Sequence, residues 1–295
     1  MPIRSFLLLA LVCLVWSANV VVSRVVVDTL QVPPLAYAAM RTLLVLAVLF
    51  PWLRPLPRDW LRVAIVTFAI SGGSFALLFV GLRDATPSAA AIVSLSGAPL
   101  TVLFAILILR ETIGWRRGFG IALTLVGVAV AIASPSGWKS SFGLIFVGAS
   151  AVVGALGSVF LKRIDMASIR LQAWAALSSA VVLAPLSFAI ESGQWAAIRA
   201  GGWELAAAVA FSALIVSVWA HTVYYHLLQR YEANLIAPLT LMTPIFTIAM
   251  GATITGDHVS LLMIVGAVIA ASGVLVILIR PSRNYLKELL VRARL

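Results

Sequence analysis

Few side chains in this chain can do chemistry, and where they stand matters more than how many there are. The 295 residues hold three histidines, one cysteine and ten carboxylates. Asp28, Asp59, Asp84, Glu111, Asp165, Glu191, Glu204, Glu232, Asp257 and Glu288 all stand at the ends of apolar runs or between them. Acid–base catalysis needs a carboxylate pair or a partnered histidine in one cleft, and no apolar run holds one. His221 and His226 are five residues apart with no third metal ligand near them, and Cys13 has no second cysteine to pair with. There is no P-loop, nucleophile elbow or zinc-type cluster. The chain reads as a non-enzyme without a cofactor or metal.

Two ionisable residues do lie inside apolar runs. Arg41 stands seven residues into the run 34–53. It can snorkel to the surface or cap helix ends, or it can be a fixed cation that lines a path and anchors a carboxylate. His221 is followed by Thr222, Tyr224 and Tyr225, and helical spacing puts Thr222 and Tyr225 on its face. It can bond between helices, form a polar cavity wall, or titrate near neutral pH.

The middles of the runs are otherwise small, aromatic and hydroxylated. Ser71-Gly72-Gly73-Ser74-Phe75 centres one run, where the glycines admit a close neighbour, helix or substrate. Trp16 and Asn19 share a face at i, i+3, Trp219 adds an aromatic surface from the second half, and Ser158 lies beside Gly154 and Gly157. Ser94 and Pro99 are matched later by Thr240, Thr243 and Pro244. A helical proline kinks the axis and frees the carbonyl one turn back, here that of Thr240. The candidate cavity set is therefore Trp16, Asn19, Ser71, Ser74, Phe75, Ser94, Ser158, Trp219, His221, Tyr225, Thr240 and Thr243. Pro99, Pro244, Gly72 and Gly73 are the candidate hinges, with a static kink as the alternative.

A membrane must position these residues. The chain is 62% hydrophobic and 11% charged, against roughly 45–50% and about 25% in soluble domains. A span needs about 20 apolar residues. Ten runs qualify, at 4–26, 34–53, 60–82, 87–109, 114–133, 141–161, 170–190, 203–228, 234–255 and 259–280. The first is read as a retained helix, because it lacks a small-residue cleavage site. Trp52, Trp60, Trp115, Trp138, Trp174, Trp195 and Trp203 at run ends read as an interfacial belt. The net charge of +11 sits in short clusters between the runs, which suits lipid headgroups rather than nucleic acid.

Loop charge predicts orientation. With the N-terminus inside, the inner face holds Arg4, Arg54, Arg58, Arg62, Arg110, Arg116, Arg117, Lys162, Arg163, Arg170, Arg230 and five bases of the tail, sixteen in all. The outer face holds four, Arg24, Arg83, Lys139 and Arg199. Both termini are expected to be cytoplasmic, in an inner membrane of bacterial type, with an amphipathic basic tail on the headgroups.

The chain is also written twice. Residues 94–127 return as 240–273: Pro99 answers Pro244 at an offset of 145, and Gly120 and Gly127 answer Gly266 and Gly273 at 146. Five spans per copy is an odd number, so the copies are expected to face opposite ways. The turn 110–117 carries three arginines, and its twin at 255–260 carries no Lys or Arg. Inverted repeats of this kind mark secondary transporters with a midplane site between the repeats.

The segment Trp16-Ser17-Ala18-Asn19 with Arg24, Arg41 in the second span, Ala89 to Pro99 leading to Leu109-Arg110-Glu111, and the Gly120/Gly127 ending resemble the EamA proteins of the drug/metabolite transporter superfamily. Within it the chain is most similar to the YddG-type exporters of aromatic and neutral amino acids. The second copy departs from the pattern at Thr255-Gly256-Asp257. The resemblance implies an all-α membrane protein of ten transmembrane helices, as two inverted five-helix repeats at 1–135 and 136–281 with a cytoplasmic tail at 282–295. It implies export, which the residues themselves do not indicate. The expected function is a secondary transporter of small metabolites, amino acids foremost, working by alternating access through a mostly uncharged cavity. A channel-like facilitator and a non-transport accessory protein are the alternatives. The expected partners are the small-molecule substrate and the lipid bilayer.

Overall fold

The computed structural model describes residues 2–110, 114–134, 141–161, 163–230 and 239–278. The expected basic tail, Trp138, Lys139 and the acidic turn at Glu111 lie outside these residues. Every span that is described is helical. Eight helices are long and apolar enough to cross a membrane. They are α1 (Ile3–Thr29), α2 (Pro34–Leu53), α3 (Trp60–Gly81), α4 (Pro87–Ile108), α5 (Trp115–Ile132), α6 (Phe142–Leu161), α7 (Ser168–Ile190) and α8 (Gln194–Tyr224). Two shorter apolar helices come next, α9 (Met242–Thr255) and α10 (Leu261–Ile277). The remaining ends expected of these last two spans, 234–238 and 279–280, fall outside the described residues.

Local chemistry sets the boundaries. Pro34 and Pro87 stand in first turns, where a missing N–H costs no ladder bond. Thr86 caps α4 by accepting from Ala89 N at 3.3 Å. Gly202 has φ 46° and ψ −130° inside α8, a backbone state open to glycine and strained for other residues. It splits a short leading segment from the span expected at 203–228.

Apolar side chains point outward as well as inward. Leu107 is 73% exposed, Ile145 67% and Leu261 77%. Lipid, not water, suits such a surface. The tryptophans Trp52, Trp60, Trp115, Trp195 and Trp203 are exposed at span ends. Trp174 departs from the expected belt, being 4% exposed. The first turns of α7 pack into α2 and α8 through Ala173 and Ala176 against Val45, Leu49 and Ala213, and this puts its neighbour Trp174 inside.

The helices interlock across the two copies. α5 packs along α10, α2 along α7, and α4 against α9, so each meets its own counterpart. The other pairings come in matched sets: α1 with α9 and α6 with α4, α1 with α8 and α6 with α3, α2 with α8 and α7 with α3. This is the pattern of a pseudo-two-fold axis relating the copies.

The α5–α10 contact is the tightest. A Cβ on Gly127 would overlap Ala270 N and lie 2.6 Å from Gly266 O, and one on Gly273 would lie 2.5 Å from Thr124 N. The glycines that mark the duplication are therefore the residues that let the copies touch backbone to backbone. Gly127→Ala should destabilise the fold by about 1–3 kcal/mol through overpacking. Gly114→Ala is the control, because nothing lies within 4 Å of its added Cβ. Thermal unfolding in detergent checks this, and a Gly127→Ala protein that melts with the wild type would refute the contact.

Candidate functional site

The copies leave a cavity between α2, α3, α7 and α8, with a volume near 90 Å³. Arg41, Thr42 and Val45 line it from α2, Ile70, Ser71 and Phe75 from α3, Gln172 and Ala175 from α7, and Ser217 and His221 from α8. The volume admits a few waters. It is below the 300 Å³ or so of a typical ligand pocket.

Widened helical turns shape two of its walls. α3 is π-helical over Ala69–Gly73 and α8 over Phe211–Ala220. At the repeat offset of 145 the first falls inside the second. A π-turn holds an extra residue and rotates the side chains after it, a feature frequent at functional sites. Here the widened segments contribute Ser71 and Ser217 to the cavity.

Arg41 is the charge of this site. It is 4% exposed, so it does not snorkel to a surface. Its Nε donates to Ser217 Oγ at 3.0 Å. Its guanidinium carbon lies 4.0 Å above the Phe75 ring and 5.9 Å from that of Phe79, a cation–π contact strengthened by burial. Nη1 has no hydrogen-bond partner. Among the described residues no carboxylate lines the cavity, and Arg24–Asp28 is the one ion pair.

The α8 wall is held by its own side chains. Ser217 Oγ donates to Ser212 O at 2.8 Å, and Gln172 Nε2 donates to Ser217 O at 2.6 Å. His221 Nδ1 lies 2.7 Å from Val216 O. A carbonyl only accepts, so Nδ1 carries the proton in this bond. Trp16 braces His221 at 5.4 Å between ring centroids and Tyr224 at 5.0 Å. The side chain of Tyr225 lies outside the described residues.

A second cavity, near 150 Å³ and mainly apolar, lies among α1, α3, α4 and α9. Ser94, Thr243 and Pro244 line it. It sits at two matching helix breaks. α4 is interrupted by turns at 95–96, and turns at 240–241 lead into α9, three to four residues before Pro99 and Pro244. Leu95 N and Ser96 N bond back to Ile92 O and Val93 O at 3.1 and 3.0 Å. The carbonyl of Thr240, expected to lose its partner, accepts instead from Thr243 N at 2.9 Å. The chain tightens into a 3₁₀ turn there, which satisfies the group locally.

Several expected cavity residues tie helices together. Asn19 Oδ1 accepts from Ser212 Oγ at 2.7 Å, and Ser74 Oγ pairs with Ser150 Oγ at 2.9 Å. A Cβ on Gly72 would overlap Ser179 Oγ, so this glycine admits α7. One on Gly73 would touch Phe68 at 3.3 Å. Ser158 Oγ donates within its helix to Gly154 O at 2.8 Å. Trp219 is half-buried and lines neither cavity.

Sequence reasoning passed over Gln172, Ser217 and Ser17. Ser217 stands one turn before His221, and that i, i+4 spacing was a usable signal. Ser17 Oγ reaches both Cys13 O and Thr243 O at 2.8 Å, joining α1 to the break of α9. Two of the acids cap helices of the first copy. Glu191 accepts from Leu35 N at 2.8 Å and Ala36 N at 3.0 Å, capping α2. Asp257 Oδ2 accepts from Ser88 N at 2.9 Å, capping α4.

Known proteins share this plan. The EamA-like transporter family matches residues 3–133 and 141–279. A Salmonella typhimurium protein named "Probable amino-acid metabolite efflux pump" is 28% identical over 89% of this chain and 91% of its own length. An Escherichia coli protein of the same name is 26% identical over 92% and 93%. An uncharacterized transporter of Archaeoglobus fulgidus is 25% identical over 92% and 96%. One crystal structure, 20% identical, superposes with a TM-score of 0.57 over 93% of this chain and 97% of that one, a likeness of fold. With both repeats matched over nearly their whole length, the chain belongs to the EamA-like transporter family, whose members are membrane transporters and not enzymes.

Proposed function

We propose that the chain exports small carboxylate-bearing metabolites of the amino-acid type, aromatic and neutral ones foremost, by alternating access. The observation that carries this reading is Arg41, buried beside the cavity with an Nη1 that has no hydrogen-bond partner. A buried cation without a counter-charge is expensive. A substrate carboxylate would supply the missing partner through charge-assisted hydrogen bonds. Phe75 holds the guanidinium in place, and the apolar walls suit an uncharged side chain. The efflux-pump names of the relatives support the substrate class and the direction. The cavity is too small for such a substrate as it stands, so the cycle needs opening. The breaks of α4 and α9, matched across the pseudo-two-fold, are the proposed hinges, with Pro99 and Pro244 beside them.

In this reading both termini face the cytoplasm and the caps made by Glu191 and Asp257 lie on the outer face. The uneven loop charge supports the orientation. In a Cys13→Ser background, Arg83→Cys should react with an impermeant maleimide added to intact cells, and Arg58→Cys should not. Both positions are exposed, so the reverse labelling would overturn the topology.

Flux into proteoliposomes tests the substrate reading. Arg41→Gln should raise the KM for an amino acid at least about tenfold, the worth of a lost charge-assisted hydrogen bond. Arg41→Lys should recover part of it. Unchanged KM in Arg41→Gln would remove Arg41 from the site, and no flux of any amino acid above empty vesicles would sink the substrate class.

Asp257 offers a separate handle on the cycle. Asp257→Ala removes one of the two caps of α4, leaving that of Thr86, and should cost about 1 kcal/mol in stability. If the outer face must open for release, the same change should raise turnover while leaving KM near the wild-type value. Turnover that falls in step with stability would assign Asp257 a structural role only.

A further inference from the structure

We infer that the ligand form held in the Arg41 cavity is a net monoanion, a small carboxylate whose α-substituent bears no positive charge. This rests on the reading of that cavity as the substrate site. Within the carboxylate-bearing class of that reading it ranks uncharged-substituent relatives, such as 2-oxo, 2-hydroxy or N-acylated acids, above the zwitterionic amino acids.

Charge comes first. The described lining holds one guanidinium, 4% exposed, and no carboxylate. A monoanion neutralises it. A zwitterion brings an ammonium as well as a carboxylate, and the ammonium would share a poorly solvated space with Arg41. Like charges repel strongly there, because the local dielectric is low.

Acceptors come second. An ammonium has three donors and needs acceptors for them. A helical carbonyl has one lone pair for its ladder bond and one to spare. On the α8 wall the spare positions are occupied. Ser212 O holds the Ser217 hydroxyl at 2.8 Å, Val216 O holds His221 Nδ1 at 2.7 Å, and Ser217 O holds the Gln172 amide at 2.6 Å. Ser217 Oγ already accepts from Arg41 Nε. The face of Phe75, which could have received an ammonium, carries Arg41 instead at 4.0 Å. The unpartnered group beside the wall is a donor, Arg41 Nη1 on α2, which is itself buried. The acceptors left in the lining, such as the Ser71 hydroxyl and the Gln172 amide oxygen, are neutral, so the net positive charge of the site favours an anion.

Three probes of one shape separate the possibilities: L-phenylalanine, 3-phenylpropionate and phenethylamine. Each is added to the full chain in lipid nanodiscs and its binding is read from the rise in unfolding temperature. This avoids the passive leak of weak acids across vesicles. The expected result is a Kd for 3-phenylpropionate about tenfold below that for phenylalanine, and no stabilisation by phenethylamine. Arg41→Gln should abolish the preference between the two carboxylates, and Arg41→Lys should keep their order. Phenylalanine binding as tightly as 3-phenylpropionate or tighter, with both lost in Arg41→Gln, overturns the monoanion inference and leaves the carboxylate site standing. Phenethylamine binding in preference to both, no shift with either carboxylate, or unaltered binding in Arg41→Gln overturns both readings.

Discussion

The structure depends on helices that must pack against their own counterparts. Lipid is as apolar as a leucine side chain, so burial alone gives a membrane helix little reason to leave it. Close contact supplies the reason, and closeness needs small residues on both faces. At the α5–α10 crossing both faces descend from one ancestral face, so a residue that is small in one copy must be small in the other. Gly120 sits against Gly273 and Gly127 against Gly266. The loops are under no such constraint. Arg110, Arg116 and Arg117 in one turn answer to no base in its twin.

A frame built this way leaves its centre to residues that do not touch their counterparts. Arg41 belongs to that class. Its helix packs along α7, yet its head turns toward α3 and α8. The π-turns of α3 and α8 fit the same requirement. An extra residue per turn rotates the side chains beyond it without ending the helix. Ser217 then reaches the guanidinium on one side and Ser212 O on the other. The cation is thus oriented by neutral groups, and no carboxylate among the described residues pairs with it.

Features set by local pattern were legible in the sequence. The apolar runs, the glycine spacing, the break before 203 and the depth of Arg41 are all of this kind. The rotation of each helix about its axis was not, and it decides what a small or hydroxylated residue does. Ser71 and Ser74 are three apart on α3, but one faces the cavity and the other pairs with Ser150 on α6. Asn19, expected in the lining, and Gly72, expected as a hinge, serve as contacts between helices. Gln172 and Ser217 carry no charge to mark them in the sequence, yet in a membrane a neutral polar group can direct a charged one. Thr240 shows a further limit: a proline predicts a lost ladder bond, but not the 3₁₀ turn that replaces it.

The pseudo-symmetry of the helices is not matched by their ends, and that difference bears on the proposed cycle. In a perfectly repeated chain, states open to opposite faces would have equal energy, since the axis exchanges them. Here α2 gives way to Arg54 and Arg58, while its counterpart α7 ends at Glu191, which closes on the α2 N-terminus. Asp257 does the same for α4 from the end of α9. Both caps are carboxylates of the second copy on helix starts of the first. A charged cap at a helix N-terminus is worth about 1 kcal/mol. The Glu191 cap, answered by arginines rather than a carboxylate at the end of α2, favours the form closed there by about fivefold before any substrate binds. A transporter with that bias would rest with its cap-bearing face shut, and binding would have to favour the other form by as much to reverse it.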